Sequence, residues 1–307
     1  MSLSEQEIQQ AVDDLRTAQD FWRWAASRFS EHDLFYGHGT VNAWDEAGAL
    51  VMQSLELPHH YIEAIGPCRL TRSERQLIAE RTAERINSRR PLPYITGKAY
   101  FCNLEFIVDE RVLIPRSPIA ELIQNRFQPW LGEREPERIL DLCCGSACIA
   151  IACAHAFPEA RIDASDISAD ALDVAEQNVA AYQLEEQVAL IQSDGLTELV
   201  GEQYDLIVCN PPYVDAEDFA SVPPEYQHEP ALALESGEDG LDFVRRLLNE
   251  AAQFLTPGGL LICEVGNSMR HVIDQFPNVP FTWLEFEHSD DGVFLISREE
   301  LRQYFAG

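Results

Sequence analysis

The chain has 307 residues, 46% of them hydrophobic and 24% charged, a balance that excludes wholesale disorder and suits two domains. Acids outnumber bases 52 to 22, giving a formal charge of −30, and Lys98 is the only lysine. Such a field repels nucleic-acid backbones and anionic membranes and attracts a basic partner, although a surface adapted to a salty cytoplasm accounts for the same excess.

Residues 1–95 are predicted to be helical. Ile8, Val12, Leu15, Ala18, Trp22, Ala25 and Phe29 recur every three or four positions, the apolar face of a first helix. Its start is acidic and lacks a basic flank before an apolar run, so no cleaved leader is expected. The eight cysteines then read as reduced thiols of a cytoplasmic protein. Ala43, Ala47, Leu50, Val51 and Leu55 mark a second helix ended by Pro58, and a third runs from Ser73 through Ile86 to Pro91. This segment carries no nucleophile with a nearby base. Residues 96–116 hold β-formers around a turn at Cys102-Asn103, a hairpin linker.

From Pro136 the pattern alternates strand and helix. Strands are predicted at Arg138–Cys143, Arg161–Asp166, Val188–Gln192, Tyr204–Cys209 and Gly259–Val265, with helices at Ala147–Ala156 and Ala169–Tyr182. Alternation of this kind means an α/β fold with a mostly parallel sheet and right-handed crossovers. The expected organisation is a helical domain (1–95), a hairpin linker (96–116) and an α/β domain (117–307). No apolar run reaches the roughly 18 residues of a membrane helix.

Ligands of doubly wound sheets sit beyond the carboxyl ends of the strands. The first such end is Asp141-Leu-Cys-Cys-Gly-Ser-Ala147-Cys, leading straight into a helix, so backbone N–H groups and small side chains are expected to face the ligand. The next strand ends at Asp166, where an acid can accept both hydroxyls of a ribose. A dinucleotide needs G-x-G-x-x-G against its pyrophosphate, and only Gly145 of that set is present. S-adenosylmethionine has no pyrophosphate and is satisfied by a looser loop. Asp194, followed by Gly195 after the third strand, lies where adenine is expected.

The strongest local signal is Asn210-Pro211-Pro212-Tyr213, directly after the fourth strand. Two prolines stiffen the exit from a buried strand. The Asn210 amide oxygen and the Pro211 carbonyl can then accept from one planar –NH₂ group, with the Tyr213 ring as a flat face beside it. The nitrogen of such a group is a poor nucleophile, and fixed alignment on a sulfonium methyl addresses that weakness by orientation and electrostatics. An amide and the exocyclic amine of adenine both fit this clamp. Cys143, Cys144, Cys148 and Cys153 lack paired C-x-x-C spacing, and His59-His60 are sequence neighbours, so no metal site is expected. Methyl transfer of this kind requires no dedicated general base.

These motifs resemble the class I methyltransferases that modify glutamine side-chain amides in proteins, the HemK/PrmB-like protein-glutamine N5-methyltransferases, over the whole chain. Ser117-Pro118-Ile119 and Ile262-Cys-Glu-Val-Gly-Asn-Ser-Met269 look like the branch acting on large-subunit ribosomal protein L-three. The Pro-Arg-Pro-Asp-Thr-Glu of the release-factor branch is absent. The resemblance implies a Rossmann-like catalytic domain and S-adenosyl-L-methionine held by Cys143, Cys144, Gly145, Ser146, Ala147 and Asp166, beside Asp141, Asp194 and Gly195, which are expected there from their places at the strand ends. It implies that Asn210 contacts both cofactor and target amide, and that Pro211, Pro212 and Tyr213 complete the substrate clamp. Cys144 and Ala147 stand where the family usually has threonine and glycine. Glu229-Pro230 also fits the family, with no role derivable from sequence. The implied partner is a basic ribosomal protein, with no nucleic acid and no membrane. Release-factor glutamine methylation and adenine-N6 methylation are the alternative activities, and a non-catalytic assembly factor is the alternative class. A nucleic-acid enzyme should carry a basic stripe, which a charge of −30 does not provide.

Overall fold

The computed structural model describes residues 2–287 and 292–305. It divides into two compact units, Met1–Ala99 with Pro223–His228, and Tyr100–Val222 with Glu229–Gly307.

The first unit is helical: α1 (Glu5–Asp14), α2 (Ala18–Glu31), α3 (Ala43–Ser54), α4 (Ile62–Ile65), α5 (Arg72–Ser88) and α6 (Leu92–Thr96). The single helix predicted over residues 8–29 is two. Thr17 takes extended backbone and caps α2, its hydroxyl accepting from Asp20 N–H while the Asp20 carboxylate accepts from Thr17 N–H. Such a box supplies two of the orphan donors of a new helix, so the chain breaks between apolar residues that share one periodicity. Val12, Phe21, Ala25, Phe29, Leu50, Val51 and Ile78 close the core. Within it lies the fully buried Arg85. Its guanidinium donates to Glu46 (2.7 Å), to Glu225 (3.1 Å) and to the Phe35 carbonyl (2.8 Å). Glu225, late in sequence, also accepts from Phe35 N–H and pairs with Arg89 at 3.0 Å, which ties Pro223–His228 into this unit.

In the second unit, β1 (Lys98–Phe101) and β2 (Leu104–Ile107) form the hairpin, entered across the unit boundary. Cys102 and Asn103 both take positive φ (50° and 64°), as a two-residue turn matched to strand twist demands. The remaining elements are α7 (Ile119–Gln124), β3 (Arg138–Leu142), α8 (Cys148–Ala156), β4 (Arg161–Asp166), α9 (Ala169–Ala181), β5 (Val188–Gln192) and β6 (Tyr204–Cys209). They continue with α10 (Ala216–Ser221), α11 (Asp242–Glu250), β7 (Leu255–Glu264), α12 (Met269–Gln275), β8 (Thr282–Trp283), β9 (Val293–Ser297) and α13 (Arg298–Phe305).

The seven-stranded sheet has the order β5-β4-β3-β6-β7-β9-β8. β5 through β7 are parallel, and β9 enters antiparallel beside β7. Strand order reverses at β3, whose neighbours are β4 and β6, so connections diverge from its carboxyl end and leave a crevice there. Register brings Leu142 level with both Ser165 and Cys209. The chain segments following β3, β4 and β6 therefore emerge side by side. They carry the three strongest sequence motifs.

Candidate active site

Asp141 sits fully buried near the end of β3. One carboxylate oxygen accepts from Ala150 N–H at 2.9 Å, and the other has no hydrogen-bond partner among the described residues. Burial pushes the carboxyl up from the ordinary 3.8 to about 7, against the opposing effect of the Ala150 amide. The following loop is tightly wound. Cys143, Gly145 and Ala147 take φ of 64°, 52° and 61°, so two residues with a Cβ occupy a conformation that favours glycine. Its amides are largely engaged at home: Cys144 N–H donates to Ser165, Gly145 N–H to the Asp166 carboxylate and Ala147 N–H to Cys144. The expected array of free N–H groups is thus not what this loop offers. A pyrophosphate would need those donors, whereas a cofactor lacking phosphates does not. Buried Asn178 on α9 fixes the loop by donating to the Ser146 carbonyl at 3.0 Å.

Asp166 ends β4, and its two oxygens accept from Gly145 and Ser168 N–H, both at 2.9 Å. Burial raises its pKa, with the Ser168, Gly145 and Ile167 amides opposing. Asp194 is exposed, and its carboxylate takes a 2.6 Å hydrogen bond from Arg246. A Cβ on Gly195, where φ is 60°, would lie 2.3 Å from that guanidinium. The pair therefore holds this rim as one unit.

S-adenosylmethionine fits these residues. A Cβ on Gly145 would meet no heavy atom within 4 Å, so the loop presents an open face. The unpaired, buried Asp141 oxygen two residues before the loop favours a cation, and Asp166 keeps acceptor capacity on both oxygens for hydroxyl groups.

Across the switch point, β6 delivers Asn210, Pro211, Pro212 and Tyr213. Asn210 is half-buried, and its amide nitrogen donates to the Arg116 carbonyl at 3.3 Å. Pro211 is buried and Pro212 half-buried. Tyr213 is anchored at several points. Its hydroxyl donates to Glu264 at 2.8 Å, its carbonyl accepts from Ser268 Oγ at 2.7 Å, and its ring rests on Gly266, where a Cβ would lie 2.6 Å away. Glu264, buried at the end of β7, also accepts from Ser117 Oγ at 2.5 Å. Burial raises its pKa, while the Ser117 and Tyr213 hydroxyls oppose the rise. The sequence reading omits Glu264 from the site. The only signal for it was the acid inside Ile262-Cys-Glu-Val, and its partners lie 51 and 147 residues away.

Cys144 in the loop and Cys153 on α8 are both buried, and burial pushes both thiols well above the usual range. The His59–Tyr61 turn sets the His60 ring beside that of Tyr61, tilted by 47°. No group of three or more metal-ligating side chains occurs among the described residues.

An α/β sheet whose switch point joins an acid-headed loop to a proline-stiffened Asn-Pro-Pro-Tyr segment defines a class I methyltransferase, and S-adenosylmethionine is its methyl donor. The methyltransferase small domain family matches residues 124–224. The chain is 45% identical over 302 residues to the ribosomal protein uL3 glutamine methyltransferase of Francisella tularensis, covering 98% of this chain and 96% of that protein. The enzyme of the same name from Xanthomonas campestris is 48% identical over 291 residues, covering 95% and 94%. This chain belongs to that family of protein-glutamine methyltransferases. In fold it is also similar to the hMettl16 catalytic domain solved with an RNA hairpin, at 16% identity and a TM-score of 0.49, over 72% of this chain and 80% of that one.

Proposed function

We propose that the substrate is a glutamine of large-subunit ribosomal protein uL3, methylated on its side-chain amide nitrogen (N5). End-to-end identity of 45–48% with two enzymes carrying that name supports the reading above all else. When bound, the cofactor supplies a methyl group made electrophilic by sulfonium sulfur. Asp166 accepts the ribose hydroxyls, Asp141 and residues 143–147 hold the methionine end, and Asp194-Gly195 borders the adenine. Asn210 Oδ1 and the Pro211 carbonyl accept the two protons of the target amide, which raises electron density on its nitrogen and fixes its direction of approach. Pro212 keeps the backbone stiff, and Tyr213 forms the side wall. The surplus proton leaves to water after transfer.

The helical unit is assigned to substrate recognition. A surface at −30 suits a basic ribosomal protein in the cytoplasm and disfavours nucleic acid and anionic membranes. No helix among the described residues is long and apolar enough to cross a membrane. The test is mass spectrometry of purified uL3 and of a release factor, each incubated with the enzyme and S-adenosylmethionine. A gain of one methyl on a uL3 glutamine is expected. Modification of the release factor alone would overturn the assignment.

A further inference from the structure

Glu229 is buried 19 residues beyond Asn210 and has no part in the function as proposed. Its carboxylate is bound in a closed arrangement. One oxygen accepts from Ile114 N–H at 3.0 Å and from Arg116 Nη1 at 2.6 Å, and the other accepts from Arg116 Nη2 at 2.7 Å. Arg116 Nη1 turns back to the Ile114 carbonyl at 3.2 Å, with buried Pro115 between them. Residues 114–116 thus wrap one carboxylate with main chain and guanidinium together. The outcome is a fixed Arg116 carbonyl, the group that accepts from Asn210 Nδ2.

That hydrogen bond decides which way the Asn210 amide faces. An amide flipped by 180° would set Oδ1 against the Arg116 carbonyl, two acceptors together, and would turn Nδ2 toward the substrate. A donor there cannot bind an –NH₂ group. We propose that Glu229 is a positioning residue: through its fork with Arg116 it holds the one flip state of Asn210 that presents Oδ1 to the target amide. The inference rests on Asn210 being the acceptor of that amide. A buried ion pair adds little net stability over a well-packed apolar substitute, while a bidentate fork fixes direction, which lysine cannot do.

A double-mutant cycle tests the proposal on the full-length enzyme with uL3 and S-adenosylmethionine, following kcat, both KM values and thermal stability. In the wild-type background, Glu229→Gln is expected to lower kcat about 10- to 100-fold with KM for the cofactor nearly unchanged, the scale of a small misplacement of a reacting group. In the Asn210→Ala background the same substitution is expected to cost less than about threefold, because the amide to be positioned is gone. Equal losses in both backgrounds, or unchanged kcat in folded Glu229→Gln, overturn the proposal. Full turnover by Asn210→Ala alone overturns the acceptor assignment instead, before Glu229 is considered. Should Glu229→Gln fail to fold, Arg116→Lys, which keeps the charge and loses the fork, takes its place in the cycle with the same outcomes.

Discussion

Asp141 couples stability to pH with a sign opposite to that of most surface carboxylates. Its folded pKa of about 7 lies above the ordinary aspartate value of 3.8, so the folded state binds the proton more tightly than the unfolded chain. Stability contributed by this group is present at low pH and lost as pH rises from about 4 to about 7. The window between pH 5 and pH 8 holds on the order of 2–3 kcal/mol of that change, from 1.36 kcal/mol per pKa unit. Other carboxylates titrate as well, and relief of self-repulsion at −30 adds its own slope, so the measurable quantity is a difference. Asp141→Asn keeps an oxygen for the Ala150 amide and removes the titration. The –NH₂ it places on the unpaired side costs about 1–3 kcal/mol independent of pH. In urea titrations of cofactor-free protein, the stability gap between wild type and variant should move by about 2–3 kcal/mol in favour of wild type from pH 8 to pH 5. A gap that stays constant within about 0.5 kcal/mol would refute the buried, singly bonded carboxylate from which the shift is argued.

Three further outcomes are expected. Asp166→Asn should weaken S-adenosylmethionine binding by about 1.5–3 kcal/mol, the range for hydrogen bonds to a charged group, and calorimetry giving unchanged affinity would remove the ribose assignment. Glu225→Gln removes one of the two charges that Arg85 faces deep in the helical unit, Glu46 remaining at 2.7 Å; a loss of about 1.5–3 kcal/mol is expected for hydrogen bonds to a charged group, and a thermal midpoint within a degree of wild type would show the network to be dispensable. Raising salt from 50 to 500 mM should increase KM for uL3 while cofactor affinity stays nearly flat, since exposed charges are screened over about 8 Å already at 0.15 M. A salt-independent KM at unchanged thermal stability would exclude electrostatic capture, and activity that improves with salt would favour a surface adapted to a salty cytoplasm.

The sequence by itself determined what is local. Strands β3 to β6 and the helices between them follow from apolar runs and periodicity, and the hairpin turn follows from Cys102-Asn103. The loop after β3 and the Asn-Pro-Pro-Tyr segment after β6 are legible because each follows directly on the end of a buried strand. The break before Thr17 was also written locally, as Thr17 and Asp20, but the apolar period runs through it and masks the cap. Only the tertiary structure decided which distant groups meet. β9 pairs antiparallel with β7 although some thirty residues separate them. Glu225 belongs to helices 140 residues upstream. Tyr213 finds Glu264 at a separation of 51, and Glu229 finds Arg116 at 113. An ion pair or a hydrogen bond leaves no period in the sequence, because its strength depends on geometry set by packing elsewhere. The segments that leave the strand ends were therefore readable from the chain, and the distant residues that anchor them were not.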